Sequence, residues 1–195
     1  MKFAFLSESE VDEAALAAFC AARLGREIER EPCRARVRRG WPALRESLGP
    51  ALRSLKHTGA EFIVVCADGD GADPHHPDNR RAQLERIVEQ TGMSARVVVA
   101  LAVPTIEAWW LAPQMPELHE RGWFDRVQTY PGYQKLDLKR RLYGTDRPLG
   151  PDMLRIMPEA ARHAATHHVQ LATRFPLGLA PLLKKLAAIE ADDGA

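Results

Sequence analysis

An apolar run at residues 62–67, followed at once by acidic residues, places the strongest constraint on how this chain can fold. A short uninterrupted apolar run bounded by glycines and acids indicates a strand buried on both faces, as in the interior of a parallel sheet. Asp68 and Asp70 follow this run, and Asp73 comes close behind. Because alternate residues of an extended segment point to the same side, Asp68 and Asp70 can share one face where the strand ends.

This acidic strand end predicts a divalent-metal site. Ligands of open α/β sheets bind at the carboxyl ends of strands. Two neighbouring carboxylates repel each other unless a cation or a proton lies between them, and Mg²⁺ prefers oxygen ligands. The alternative interpretation is an acidic loop that follows the strand and caps the next helix.

Strand-like and helix-like patterns alternate along the first half of the chain. The apolar spacing predicts strands at 2–6, 62–67 and 96–103, an edge strand at 28–38, and helices at 12–25, 42–56 and 78–90. Gly49-Pro50 is expected to bend or interrupt the second helix, because proline lacks the backbone donor that a helix interior requires. The alternation predicts an α/β fold with a mostly parallel sheet and right-handed crossovers.

The pattern changes after Pro104. A short aromatic helix is predicted at 106–111, and two further helices at about 151–169 and 177–189. We therefore expect residues 1–103 to form an α/β core and residues 104–195 to form a helical extension packed on it, within one compact domain.

Composition limits the partners and the compartment. The net charge is +1, so attraction to nucleic acid must come from local basic patches. The three cysteines lie far apart without metal-type spacing, which is typical of buried thiols in a reducing cytosol. The apolar runs are too short for a signal peptide or a membrane span, so we expect a cytoplasmic protein without a membrane partner.

Two basic segments could contact nucleic acid. Arg34, Arg36 and Arg38 are alternate residues of the predicted edge strand and therefore share one face. They could contact phosphates or protect the sheet edge, and we favour protection of the edge. A second basic run contains Lys139, Arg140 and Arg141. These six positions permit nucleic-acid binding but do not require it.

A glutamate after the first strand completes the acidic pattern. The carboxyl ends of parallel strands lie along one edge, so Glu8 can face Asp68 and Asp70. This arrangement resembles the Toprim domain, whose opening motif is similar to residues 6–16, with Asp12 at the position of the acidic residue that follows the glutamate. Ser9 replaces the usual glycine of that motif, and Val11 replaces the usual hydroxyl residue.

A further element narrows the resemblance. Residues 104–109 resemble the Glu-Ala-Trp element of a bacterial group of Toprim-like proteins, with Glu107 at the glutamate position. That group is related to the nuclease half of the overcoming-lysogenization-defect (OLD) family. The resemblance covers residues 1–112 well and the remainder weakly, and it depends on the order and spacing of short motifs.

The resemblance implies a Toprim-like fold and a Mg²⁺- or Mn²⁺-dependent phosphoryl-transfer site, most plausibly a nuclease in defence against phage or mobile elements. Asp68 and Asp70 would hold the metal, Glu8 would act as a ligand or general base, and Asp73 and Glu107 could hold a second ion. The family also implies a separately encoded ATPase partner. The alternative is a non-catalytic binding or regulatory partner of such an ATPase, with the acidic edge as its docking surface.

Other interpretations of these residues are weaker. Haloacid-dehalogenase phosphatases carry a similar acidic pair, but there the strand usually comes first in the chain. His75 and His76 could add a ligand beside the acids, although flanking prolines suggest an exposed loop. Trp109 and Trp110 could stack on bases, whereas anchoring a helix on the sheet is their commoner use. Glu107 lies in an apolar setting and needs a metal or an arginine if it is buried.

Overall fold

The computed structural model describes residues 1–33, 40–69, 79–115, 118 and 135–193. The strands are β1 (Lys2–Leu6), β2 (Glu29–Arg30), β3 (Phe62–Asp68) and β4 (Val97–Ala102). The helices that alternate with them are α1 (Glu10–Leu24), α2 (Trp41–Leu55) and α3 (Arg80–Thr91). After β4 come α4 (Ile106–Leu111), α5 (Lys135–Tyr143), α6 (Gly150–Ala165), α7 (His168–Arg174) and α8 (Leu179–Asp193).

In the described residues the strands form one parallel sheet in the order β2-β1-β3-β4. The chain moves from β1 outward to β2, then crosses back over β1 to reach β3 and continues to β4. The direction of winding therefore reverses between β1 and β3. The predicted α/β fold, with a parallel sheet, flanking helices and a C-terminal helical extension, is confirmed, and it is consistent with a Toprim-like architecture. In such sheets the reversal point opens a crevice at the carboxyl ends of the two strands.

Helices cover both faces of the sheet because β3 and β4 are apolar on both sides. Ile63 and Val65 of β3 pack in the cluster formed with α2 and α3. Their neighbours Val64 and Cys66 pack on the opposite face, in the cluster formed with α1 and the C-terminal helices. Alternate strand residues point to opposite faces, so burial of both sets requires two helical layers.

Local capping fixes the ends of the helices nearest the sheet. Ser9 caps α1 by accepting a hydrogen bond from the Asp12 backbone N–H at 3.2 Å. Gly25 ends that helix in the left-handed conformation, with φ of 63°, which a residue without a Cβ adopts at no steric cost. Asn79 caps α3 in the same way as Ser9 caps α1, by accepting from the Ala82 N–H at 2.8 Å.

Two expected details differ from the structure. Helix α2 runs uninterrupted through Gly49 and Pro50, because its buried leucines pack on the sheet and Gly49 packs against Ile87 of α3. The edge strand is shorter than expected in the described residues, since β2 ends at Arg30 and Pro32 cannot donate to a ladder. Residues 34–39 of that predicted strand lie outside the described part of the chain.

The C-terminal helices pack on the face of the sheet that α1 also covers. Helix α6 lies along α1, and α8 lies against β4. The predicted single helix at 151–169 is two helices, since α6 ends at Ala165 and α7 begins at His168. Thr166 explains the break, because its Oγ1 donates to the His163 carbonyl at 2.7 Å and so offers the backbone an alternative to helical bonding.

No described helix has both the length and the apolar character needed to cross a bilayer.

Candidate functional site

A cleft of about 210 Å³ lies at the carboxyl ends of β1 and β3, where the winding of the sheet reverses. Carboxylates from several elements line it together with two lysines of α5: these residues are Glu8, Asp12, Asp68, Glu107, Lys135 and Lys139. Charged side chains separated by as many as 131 positions in the sequence are therefore neighbours in one concave site.

Glu8 is placed by the unequal lengths of β1 and β3. Pairing between these strands ends at Leu6 and Val65, whereas β3 continues to Asp68. The backbone N–H of Asp68 therefore has no strand partner on that side and donates to Glu8 Oε1 at 3.0 Å. The glutamate side chain takes the place of the missing strand acceptor and joins the two acidic positions.

Arg80, the first residue of α3, completes this junction. Its Nη1 lies 3.5 Å from Glu8 Oε1 and donates to the Asp68 backbone carbonyl at 2.6 Å. The guanidinium lies over the Trp41 ring, 4.9 Å from its centroid, which is within the range of a cation–π contact. The backbone of Glu8 is also held, because its carbonyl accepts from the Gly40 N–H at 3.1 Å.

The Asp68 side chain makes a hydrogen bond with each oxygen. Oδ1 accepts from the Ile106 backbone N–H at 3.0 Å, and Oδ2 lies 2.9 Å from Lys135 Nζ. Burial raises the pKa of Asp68 well above its usual range, and repulsion from Glu107 and Asp12 adds to this effect, while the Lys135 ammonium opposes it. The site therefore concentrates negative charge where solvent screens it poorly.

Asp12 adds to this concentration of charge from the first turn of α1. The pKa of Asp12 is raised from 3.8 to about 7, chiefly by burial, with the charges of Glu107 and Glu8 acting in the same direction and the hydrogen bond to Ser9 opposing them. The charge of Asp12 in turn adds to the rise in the pKa of Asp68. Elevated carboxyl pKa values in a cleft are typical of functional sites, where like charges are held close together.

Glu107 has an unsatisfied oxygen. The residue is 5% exposed, and its Oε2 is buried without a hydrogen-bond partner among the residues that the structure describes. Thr105 Oγ1, two residues earlier, is likewise buried and unpartnered there. Buried polar atoms are nearly always hydrogen-bonded to protein or water, so an unpartnered carboxylate oxygen beside the cleft needs an explanation, and a bound ligand is one.

The opposite wall of the cleft is less polar. Tyr143, Met153 and Met157 line it, and the Tyr143 hydroxyl lies 2.8 Å from Met157 Sδ. Burial raises the pKa of the Tyr143 hydroxyl, and the nearby charges of Glu107, Asp12 and Asp68 act in the same direction. The tyrosine therefore remains a neutral hydrogen-bond donor.

The donor set suits a hard divalent cation. Carboxylate oxygens are the protein ligands that Mg²⁺ and Mn²⁺ accept, and Glu107 Oε2 lacks a partner in this region. In the described segments no three His, Cys, Asp or Glu residues form a ready-made chelating group. Asp70 and Asp73, the other predicted ligands, lie outside those segments. The carboxylates present thus fit a cation chemically.

The structure brings together the predicted acidic residues that it describes. Glu8, Asp68 and Glu107 all line the same cleft. The predicted histidines His75 and His76 lie outside the described residues, as do Asp70 and Asp73.

The predicted basic residues separate into different groups. Lys139 lines the cleft, whereas Arg140 is exposed and pairs with Asp146 at 2.7 Å and Asp137 at 3.4 Å. Arg141 is exposed on the same helix. Arg34, Arg36 and Arg38 fall at positions 34–39, which the structure does not describe.

The paired tryptophans are structural in this conformation. Trp109 and Trp110 are at most 1% exposed, and Trp109 packs edge-on against Phe175 of the C-terminal region. Their rings anchor α4 to the helical layer and are not available to stack on a base. By fixing α4 they also fix Glu107 at the edge of the cleft.

Sequence reasoning missed Lys135, Tyr143 and Arg80, whereas Lys139 was among the predicted basic residues. Lys135, Lys139 and Tyr143 are spaced by four and therefore lie on one face of α5, the face that lines the cleft. That spacing is visible in the sequence once the basic run is assigned to a helix. Arg80 carries no comparable signal, since its importance depends on the start of α3 lying beside the end of β3.

No protein-family model, curated protein or solved structure matches the chain. The chemistry of the cleft is therefore the basis for a functional conclusion.

Proposed function

We propose that this chain is a Mg²⁺- or Mn²⁺-dependent phosphoryl-transfer enzyme of the Toprim type, and that its reaction is the cleavage of nucleic acid in defence against phage or mobile elements. The observation that carries the proposal is the cleft at the β1/β3 switch point, where four carboxylates and two lysines meet. Carboxylates are suited to a divalent cation and ammonium groups to a phosphate, so both parts of a metal–phosphate substrate find counter-charges in one site.

The residues of the cleft take distinct roles in this proposal. Asp68, Asp12 and Glu107 supply carboxylate oxygens for the cation, and Asp70 and Asp73 remain further candidate ligands. Glu8 accepts from the Asp68 N–H and pairs with Arg80, which suits a ligand of fixed orientation. A divalent cation at such a site neutralises charge on the phosphate and polarises it for attack.

The two lysines of α5 act on the substrate rather than on the cation. Lys139 lines the cleft one helical turn beyond Lys135 and places positive charge beside the carboxylates. In this proposal Lys139 and Lys135 would each donate to a non-bridging oxygen of the phosphate. The apolar wall formed by Tyr143, Met153 and Met157 limits water on the other side of the cleft.

Calorimetric titration tests the metal site directly. Mg²⁺ and Mn²⁺ are titrated into the native chain, into Asp68→Asn combined with Asp70→Asn, and into Asp137→Asn as a control on the exposed side of α5. Binding by the native chain and the control, with loss in the double variant, supports the proposal. Cleavage of single- and double-stranded DNA and RNA is then assayed with the same proteins. Metal-dependent cleavage that persists in the double variant would exclude this site.

A second candidate function is a non-catalytic partner of a separately encoded ATPase. The observation that favours it is charge compensation within the chain, since Lys135 pairs with Asp68 and Arg80 pairs with Glu8. A carboxylate set already balanced by lysine and arginine can serve as a docking surface without a metal. This function predicts no Mn²⁺ binding by the isolated chain and co-purification with the ATPase encoded beside it, lost on charge reversal at Glu8.

A further inference from the structure

We propose that Arg80, held against the Trp41 ring, is a positioning residue that fixes the Glu8 carboxylate at the cleft. The inference rests on the proposed function, in which Glu8 is a ligand of the cation. Arg80 is not among the residues that line the cleft. It therefore acts through Glu8 and the end of β3 rather than on the substrate.

The contacts of Arg80 join three parts of the fold. Its Nη1 donates to the Asp68 carbonyl at 2.6 Å and lies 3.5 Å from Glu8 Oε1. Glu8 Oε1 in turn accepts from the Asp68 N–H at 3.0 Å. One carboxylate oxygen and one guanidinium nitrogen thus hold the N–H and the C=O of Asp68, the last residue of β3, which couples the position of Glu8 to that of Asp68.

Trp41 limits where this guanidinium can go. The ring lies 4.9 Å from the Arg80 guanidinium carbon, and the preceding residue, Gly40, donates its N–H to the Glu8 carbonyl at 3.1 Å. The start of α2 therefore holds both the backbone of Glu8 and the Arg80 guanidinium that pairs with the Glu8 side chain. The Arg80 and Glu8 side chains are only 19% and 16% exposed, so solvent competes weakly for this pairing. A planar guanidinium suits this place because it stacks on the ring while its edge donates to oxygen.

A local readout that needs no metal is the hydrogen exchange of the Asp68 amide, followed by NMR. Loss of the arginine in Arg80→Met should release Glu8 and speed exchange of this amide about threefold or more, the range expected for one hydrogen bond. Trp41→Leu, which keeps the arginine but removes the ring, should act in the same direction. Arg80→Lys should restore part of the protection. Arg86→Met, on the same helix with an Nε bond to Ala82, is the matched control and should change nothing.

Mn²⁺ affinity is a second, independent test, because a positioning role of Arg80 and a purely electrostatic one predict changes in opposite directions. If Arg80 acted only through its charge, Arg80→Met would strengthen Mn²⁺ binding by removing a repelling cation. A positioning role predicts the reverse, a loss of about 10-fold, as is usual for residues that orient a ligand from outside the coordination sphere. Combined with Glu8→Ala, Arg80→Met should then have no further effect on either readout, because its action passes through Glu8.

Each outcome has a defined meaning. Unchanged exchange of the Asp68 amide in Arg80→Met, or tighter Mn²⁺ binding, overturns the proposal. Faster exchange spread equally over the interior amides of β3, such as that of Val64, would assign Arg80 a general structural role and also overturn it. If the native chain binds no Mn²⁺, the proposed enzyme function fails, while the exchange measurement still decides whether Arg80 positions Glu8.

Discussion

Replacing Glu107 with glutamine should make the metal-free protein more stable while weakening its binding of a divalent cation. Glu107 is 5% exposed, and its Oε2 has no hydrogen-bond partner in the described part of the chain. Its charge also raises the pKa values of Asp12 and Asp68. Each of these features destabilises the folded protein, and each is removed when the side chain becomes neutral. Opposite effects on stability and binding are the signature of a functional carboxylate.

The size of the effect follows from these contacts. A buried polar atom without a partner costs about 1–3 kcal/mol. The glutamine amide can donate to a neighbouring carboxylate, such as that of Asp12, where Glu107 can only repel it. Relief of the Glu107 repulsion that helps to raise the pKa of Asp12 adds to this gain. We therefore expect Glu107→Gln to raise the free energy of unfolding by about 1–2 kcal/mol at pH 8 without metal, and to lower the pKa of Asp12 from about 7.

Three measurements check this reasoning. Urea unfolding at pH 8 with a chelator gives the stability change, NMR titration of the carboxyl carbon gives the pKa of Asp12, and calorimetry gives the Mn²⁺ affinity. Glu159→Gln, at an exposed glutamate of α6, is the control and should alter none of them. A Glu107→Gln protein that is less stable than the native chain but binds Mn²⁺ equally well would refute the argument, because Glu107 would then be a satisfied structural carboxylate.

Three further predictions test packing, pH dependence and charge. Gly178→Ala would place a Cβ 2.6 Å from the Leu101 carbonyl oxygen, and urea unfolding should show a loss of about 3 kcal/mol; a change below about 0.5 kcal/mol would contradict this contact. Burial raises the pKa of Glu13 from 4.5 to about 7, so stability present below about pH 4.5 is lost as pH rises through 7. Glu13→Gln should therefore be about 1–3 kcal/mol more stable than the native chain at pH 8 but not at pH 4, and equal gains at both pH values would exclude the mechanism. Lys139→Gln should weaken binding of a non-cleavable oligonucleotide about 10-fold, whereas Arg140→Gln, at an exposed arginine that pairs with Asp146 and Asp137, should change it less than twofold; equal losses in a fluorescence-anisotropy titration would argue against a phosphate contact in the cleft.

The sheet and its acidic edge were predictable because they depend on local pattern. Strands β3 and β4 are buried on both faces, and such strands appear in sequence as continuous apolar runs. The carboxyl ends of parallel strands share one edge, so the sequence alone was enough to predict that Glu8 and Asp68 lie close together. Register and strand length were not predictable in this way. The hydrogen bond from the Asp68 N–H to Glu8 exists because β1 ends before β3 does.

The basic half of the site depends on contacts that sequence spacing does not encode. Lys135 pairs with Asp68 across 67 positions, and Arg80 reaches Glu8 only after the chain has passed through β3 and returned. The charge run at residues 135–141 is consistent in sequence with a solvated helix face. Only the packing of α5 beside α4 turns one side of this helix toward the carboxylates. Tertiary placement, not propensity, decides which charges of a helix belong to a site.

The charge inventory of the cleft argues for a small cationic occupant. Four carboxylates and two ammonium groups line it, so full ionisation leaves an excess equal to the charge of one divalent ion. Burial is the main cause of the elevated pKa values of Asp12 and Asp68, and the neighbouring carboxylates raise both further in the same direction. A space of about 210 Å³ holds an ion with part of a phosphodiester, whereas a docked protein would have to insert a single basic side chain. Charge balance and size therefore favour a small divalent cation over a protein surface as the ligand of this cleft.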